Sequence, residues 1–425
     1  MIGATQEHGV GEETTRRIPP QAQPRITYIA YPSSLVLRSA NAVQTFATTR
    51  ALRERVVHFD LLIPRFAFRP SSFRAVGATH LLRLPFNAGR HVIRSVGWSY
   101  AERTWFACRV LGRLLRQRLS RRQPDVVYVR DVVCAAWLAL LAHPLIRCAV
   151  IYEVHDLETR NPSANTGPIT RALARWLDRI ALNHADGVVS LTRTFVEEIE
   201  RAHYQLRRTP VIIPDAYDNA VYGPRDTDDA RRELGIPGDA FLVVYSGLTF
   251  AYHGVDRLVE ATALLTKEMP HLAVRIVGGR DRERQALTTR AQELGLAPTV
   301  RFVAPVPPPV VAAHLAAADA LVIPDTVSKA SASPLKLFEY AAMERPIVAA
   351  DFPALREILP ENTARYVPAG DARAIADALR WIYTHPQQAR TMAVAARTAV
   401  SAHTYDGRAE AILRFCEAVA GGTDG

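Results

Sequence analysis

Short apolar, β-branched runs alternate with longer helical stretches twice along this chain, and that double alternation constrains its fold more than any other feature. The first series of runs falls at residues 25–31, 56–63, 126–129, 149–154, 187–190 and 211–213, and the second at 241–246, 273–277, 299–303, 320–323 and 346–349. Runs of this length without polar alternation are buried on both faces, as parallel strands are. Helical stretches separate them, so each series reads as a doubly wound α/β domain. Between the two series lie Pro214, Asp215, Asp218, Asn219, Gly223 and Pro224, turn chemistry that makes residues 214–224 the expected hinge. The expected domains are residues 25–213 and 225–425, facing each other across a cleft where the carboxyl ends of the strands meet and ligands bind. Helices at 375–384, 386–401 and 407–420 close the second domain, and the last is expected to pack back onto the first.

Length and composition agree with two such domains. The chain has 425 residues, 48% hydrophobic and 22% charged, which excludes a disordered chain. Residues 1–24 differ: they are polar, carry Pro19, Pro20 and Pro24, and show no periodicity, so they read as a mobile tail. With Glu7, Glu12, Glu13, Arg16 and Arg17 and no apolar core, this segment is not a secretory signal, and a cytoplasmic protein is expected. The longest uncharged run, residues 132–146, is shorter than the ~20 apolar residues a membrane-crossing helix needs.

Positive charge is concentrated in the first half. Residues 1–210 hold 30 Arg against 16 acidic residues, whereas residues 211–425 hold 22 basic against 26 acidic, a split that suggests an anionic partner for the first domain. Between Arg90 and Arg122 stand nine arginines and one acid, Glu102. Within that stretch Trp105, Cys108, Leu111, Leu115 and Leu119 follow helical spacing, flanked by Arg109, Arg113, Arg116 and Arg118. Such a basic amphipathic helix suits an anionic membrane surface, and equally suits packing of its apolar stripe on the first sheet. No nucleic-acid motif accompanies the charge, so no nucleic-acid partner is expected. Cys108, Cys134, Cys148 and Cys416 are widely spaced without a C-x-x-C pair and read as reduced, buried thiols, with no metal site.

The densest chemistry lies in residues 331–351. Ser333 stands where it can cap a helix whose first residue is Pro334, leaving the amides of Leu335 and Lys336 at the positive end of a helix dipole, a seat for phosphate. Glu339, one turn beyond Leu335, places a carboxylate on the same face, within reach of a diol beside the phosphates. A plainer reading has Glu339 pair with Lys336.

Residues 243–261, 274–279, 300–303, Ala318-Asp319 and 333–339 resemble, in order and spacing, the donor domain of family 4 glycosyltransferases. The resemblance continues through residues 39–44, 125–130, 152–156 and 211–218. It implies the GT-B fold, an α/β architecture of two Rossmann-like domains: the second holds a nucleoside-diphosphate sugar, a UDP- or GDP-sugar, and the first holds a saccharide or lipid-linked acceptor. Transfer with retention and without a required metal or cofactor follows from the same resemblance.

Carried over residue by residue, Glu339 grips the donor ribose, and Pro334, Leu335 and Lys336 form the diphosphate seat. Gly247 admits the phosphates close to backbone, Gly278 and Gly279 line the nucleotide pocket, and Val303 offers a main-chain contact to the base. His155, at the end of a strand, matches a position near the transferred sugar. Arg38, Ser39, Asn41 and Arg130 are expected to border the acceptor, with Asp131 beside them.

Three positions depart from the family pattern. Ser331 stands where a glutamate often contacts the sugar, and Leu248 and His253 stand where arginine and lysine often neutralise the diphosphate. They keep open the alternative of a weakened homologue that binds without transferring. A nicotinamide dehydrogenase is excluded, because no G-x-G-x-x-G follows any expected strand.

Overall fold

The computed structural model describes residues 23–32, 34–37, 39–65, 70–82, 96–160, 167–327 and 334–422. Residues 1–22 of the expected tail at 1–24, Arg38, Ser331 and Ser333 lie outside the described residues.

The first domain is built on strands β1 (Ile26–Ile29), β2 (Phe59–Arg65), β3 (Thr79–Leu82), β4 (Val126–Val129), β5 (Ala149–Val154), β6 (Gly187–Ser190) and β7 (Val211–Ile212). They pair in parallel in the order β3-β2-β1-β4-β5-β6-β7. Its helices are α1 (Ala40–Arg55), α2 (Val96–Leu119), α3 (Val132–Ile146), α4 (Pro168–His184) and α5 (Arg193–Arg201). The second domain pairs β8 (Phe241–Gly247), β9 (Leu272–Gly278), β10 (Val300–Val303), β11 (Ala320–Ile323), β12 (Ile347–Ala350) and β13 (Arg365–Val367) in the order β10-β9-β8-β11-β12-β13, again all parallel. Its helices are α6 (Thr227–Leu234), α7 (Val255–Leu265), α8 (Asp281–Glu293), α9 (Pro308–Ala316), α10 (Leu335–Ala342), α11 (Pro353–Arg356), α12 (Ala372–Thr384) and α13 (Pro386–Val400), and α14 (Tyr405–Ala420) ends the fold.

Each sheet has an apolar cluster on either face. The strand order reverses between β1 and β4 in one sheet and between β8 and β11 in the other, so the loops after these four strands are where a doubly wound fold opens its ligand crevice. Local chemistry sets the helix starts: Ser39, Asp131, Thr192, Asp371 and Thr404 accept first-turn amides of α1, α3, α5, α12 and α14.

The edge strands β3 and β13 escape sequence reading, being four and three residues long and partly polar. The run at 56–63 begins as a strand only at Phe59, because Val56 still closes α1 with its amide on the Leu52 carbonyl. Within α2 the expected apolar stripe is buried only in part: Leu111 and Leu115 pack against the first core. Phe106, Val110 and Leu114 are fully buried, whereas Trp105 is 40% and Leu119 85% exposed; the helix carries apolar residues on two adjoining stripes, and packing buries the one beside that expected more deeply. Cys108 lies on the outer stripe and is exposed, while the other three thiols are buried and all four are free.

The helix α14 leaves the second domain and packs on the first. Tyr405, Ala409, Ile412, Cys416 and Val419 share one cluster with Ile26, Tyr28 and Leu52. The connection between domains is tied to it as well, since Tyr217 donates its amide to the His403 carbonyl at 3.0 Å. Among the described residues no helix is long and apolar enough to cross a membrane.

Candidate functional site

The residues expected to hold the donor collect at the carboxyl ends of β8 and β9 and at the start of α10, with the loop after β11 beside them. Backbone geometry comes first. Gly278 has φ +109, and a Cβ there would meet the Gly247 carbonyl oxygen at 2.5 Å, so its glycine is required by the neighbouring strand. Gly247 has φ +136 and sits exposed at the end of β8, where an added Cβ would find nothing nearer than Tyr245 Oη at 3.4 Å. The open approach therefore lies at Gly247. Gly279 donates its amide to the Gly247 carbonyl at 2.9 Å and lies against Thr249. Val303 ends β10, the edge strand, and is half-buried beside the second core.

The loops after β8 and β11 meet at a charged cluster across the strand-order reversal. Asp325 Oδ1 lies 2.9 Å from His253 Nδ1 and 3.0 Å from Lys336 Nζ. The Lys336 ammonium also stands 4.9 Å above the Tyr245 ring. Burial would raise the Asp325 carboxyl, but Lys336 and His253 hold it below the usual carboxylate range. Arg280 is exposed over the Phe250 ring at 4.6 Å, a little outside this cluster. Lys336 thus pairs with Asp325, and the plainer expectation of a Glu339–Lys336 pair gives way to it.

The helix α10 starts at Leu335, one residue later than expected. Pro334 is its N-cap, with its carbonyl accepting the Leu337 amide at 2.9 Å. Leu335 and Lys336 are the first two helical residues, whose amides have no partner within the helix. Tyr340 fastens α10 to β8 by accepting the Ser246 amide at 2.6 Å. The Glu339 carboxyl is pushed up to about 7 by burial, opposed by a hydrogen bond from Tyr222 and by the Lys336 charge. Tyr222 belongs to the connection between domains and is itself buried.

On the first domain, Glu153 is fully buried in β5 and gathers the opposite charges. Arg408 of α14 reaches it at 2.7 Å, Arg130 at 3.0 Å, and Tyr128 donates to it as well. Burial alone would raise this carboxyl, but Arg408 and Arg130 hold it well below the carboxylate range. His155 Nε2 lies 2.8 Å from Glu153 and 2.7 Å from Arg130 Nη2. Burial and the Arg130 charge lower the His155 pKa, against the pull of Glu153, so the ring is neutral at pH 7. Its side chain keeps 26% exposure, the open member of the network.

The residues expected to border the acceptor fare differently. Arg130 is 9% exposed and its guanidinium is taken up by Glu153, Thr45, Gln44 and His155, so it orders the network from within and does not face the cleft freely. Ser39 caps α1 through the Ala42 amide at 3.3 Å. Asp131 caps α3 and pairs with Arg103 at 2.7 Å. Asn41 is exposed in the first turn of α1.

The two halves of the site are joined by groups that sequence reasoning did not single out. Tyr405 feels the charges of both Asp215 and Glu339. Burial raises Asp215 to about 7, and Arg408 and Arg130 draw it down. The Arg408 guanidinium also donates to the Ile213 carbonyl at 2.6 Å and to Pro214. An arginine on the otherwise apolar stripe of α14, and a glutamate inside an apolar strand, are the signals that would have marked the pair.

Two Rossmann-like domains, with a glycine-lined strand end and a carboxylate-bearing helix start in the second, define a GT-B protein. Residues 240–385 match the family described as "Glycosyl transferases group 1" and residues 41–215 match "Glycosyl transferase 4-like domain". The chain belongs to the group 1, family 4 glycosyltransferases.

Among curated relatives, a D-inositol 3-phosphate glycosyltransferase of Thermomonospora curvata is 32% identical over 193 residues, 42% of each chain. One from Catenulispora acidiphila is 30% identical over 218 residues, 49% of this chain and 50% of that one. The chain spans about half the length of these relatives. Among solved structures, sucrose-phosphate synthase of Thermosynechococcus elongatus superposes with a TM-score of 0.74 at 19% identity, over 94% of this chain and 100% of that one. Anabaena HepE in complex with UDP gives 0.71 at 16%, over 93% and 100%. These likenesses are of fold.

Proposed function

We propose that the protein transfers a sugar from a nucleoside-diphosphate donor, a UDP- or GDP-sugar, to a saccharide or lipid-linked acceptor. Transfer proceeds with retention of anomeric configuration and without a required metal, in the synthesis of cell-envelope polysaccharide or glycoconjugate. The observation that carries this reading is the start of α10, where the Lys336 ammonium lies 3.5 Å from Tyr245 Oη, the atom nearest the open face of Gly247, and Glu339 follows within the same short helix. The amides and Lys336 receive the diphosphate, and with it the negative charge that grows as the sugar leaves. Glu339 accepts hydrogen bonds from the ribose hydroxyls. His155, neutral and half-open, lines the reacting centre as a hydrogen-bonding group. HepE, described in complex with UDP-glucose, shares the fold and supports a nucleotide-sugar donor. Working in the cytoplasm, the protein meets the inner face of a membrane through residues 90–122, a reading supported by exposed Trp105 and Leu119 beside Arg109 and Arg116.

A second reading, a homologue that binds without transferring, is favoured by Asp325. Its carboxylate neutralises Lys336, while Leu248 supplies no charge in place of the arginine common in the family. A transfer assay separates the two. Glu339→Ala lowers turnover at subsaturating donor at least tenfold, the factor that about 1.4 kcal/mol represents. Undiminished activity in this variant removes Glu339 from the site, and absence of turnover in the native protein across UDP- and GDP-sugars favours the binding homologue.

A further inference from the structure

A cavity of about 740 Å³ opens at the opposite end of the first domain from the proposed site. His155 and Arg130 stand at the carboxyl ends of the strands, whereas this cavity is bordered by the amino ends of β1 and β2 and by the last three turns of α2. Five arginines line it, Arg25, Arg109, Arg113, Arg116 and Arg122, against a single carboxylate, Asp60. That carboxylate is already engaged: Gln117 donates to it at 2.7 Å, and Arg113 lies 4.0 Å away. Arg109, Arg116 and Arg122 have no ion pair among the described residues. Arg113 Nε and Gln117 Oε1 are buried in its wall without a hydrogen-bond partner.

Like charges drawn together around a hollow repel one another more strongly than on open surface, because the protein walls displace screening water. Elsewhere the fold answers its arginines with carboxylates, as Arg408 and Arg130 are answered by Glu153. Here most of the charge stays unanswered. Guanidinium forks match phosphate oxygens in pairs, so the complementary occupant is a polyanion bearing phosphate. Val57 and Phe59 add a partly exposed apolar border.

We propose that this cavity is a second binding site, separate from the donor site, for a phosphate-bearing ligand held by Arg109, Arg113 and Arg116. The phosphate belongs either to a soluble molecule or to a lipid headgroup, and one experiment distinguishes them. Cys108 lines the cavity and is the exposed thiol among four, so its alkylation rate reports occupancy of this site and not of the donor site. The rate is measured on the full chain with inorganic pyrophosphate, with phosphatidylglycerol vesicles, and with sodium chloride at matched ionic strength. An occupied site slows Cys108 alkylation at least about threefold, as two-thirds occupancy requires. The protection disappears in Arg109→Ala/Arg116→Ala, whose exposed side chains leave the core unchanged. Protection by pyrophosphate assigns a soluble ligand, and protection by vesicles alone assigns a lipid phosphate. The proposal is overturned if neither protects beyond the salt control, or if the double variant is protected as well as the native chain.

Discussion

Two carboxyls, Glu339 half-buried and Glu153 fully buried, decide how the proposed site behaves, and they are tuned in opposite directions. Burial pushes Glu339 up to about 7, with Tyr222 and Lys336 opposing. Its folded pKa is thus above the unfolded value, so the stability it contributes is full below the unfolded pKa and is lost as pH rises through about 7. Donor binding has the opposite slope, because only the carboxylate accepts two hydroxyl hydrogen bonds. Nucleotide affinity is therefore predicted to rise as pH increases through about 7, and Glu339→Gln to flatten that dependence; an unchanged profile in the variant contradicts it. Glu153 is held low by Arg408 and Arg130 and stays charged throughout. Removing one partner leaves an uncompensated buried charge, so Arg408→Ala is predicted to cost about 3–5 kcal/mol in urea denaturation, and a loss under about 1 kcal/mol would sink the proposed network. The helix start near Pro334 was legible to within one residue because its signals lie in one segment. Residue chemistry was hidden where partners come from distant segments: Asp325 with Lys336, and Glu153 with Arg408, are 11 and 255 residues apart.

Among the elements, α5 and α11 make a contact that joins the domains away from the hinge. Thr192 caps α5 by accepting the Phe195 amide, while Glu357, just past α11, accepts the amides of Arg193 and Thr194, each at 2.6 Å. A carboxylate from one domain thereby completes the helix start of the other, where the positive end of the dipole favours it. Glu357→Ala is predicted to loosen this contact by about 1 kcal/mol, a several-fold shift towards an open arrangement, seen as a larger radius of gyration in small-angle scattering. An unchanged radius with unchanged donor affinity would show that the contact holds nothing. Strands β4, β5, β6 and β11 could be read from sequence to the residue because they are interior strands, buried throughout and mostly apolar. The edges β3 and β13 could not, since an edge strand needs neither length nor uniform hydrophobicity to pair. The inner face of α2 was only partly legible, with Leu111 and Leu115 on its border, because apolar spacing alone does not choose between two adjoining stripes.

At the scale of the molecule, α14 is what makes two domains one protein. It follows the second domain, packs on α1, and through Arg408 grips both the connection at Ile213 and the centre of the first sheet. Glu339 and Asp215 both act on Tyr405 at its start, so α10, the hinge and the first-domain network converge on one element. The two-domain architecture was plain in the sequence because each strand series repeats the same alternation. The convergence was not, because it depends on how the last helix returns. The most direct test of a nucleotide-sugar site at Glu339 is calorimetric titration of the native protein and Glu339→Ala with UDP, GDP and their sugars. Selective binding of one nucleotide by the native chain, weakened at least about tenfold in the variant, is the predicted result. Equal affinity in both proteins, or no binding of any nucleotide, would contradict it.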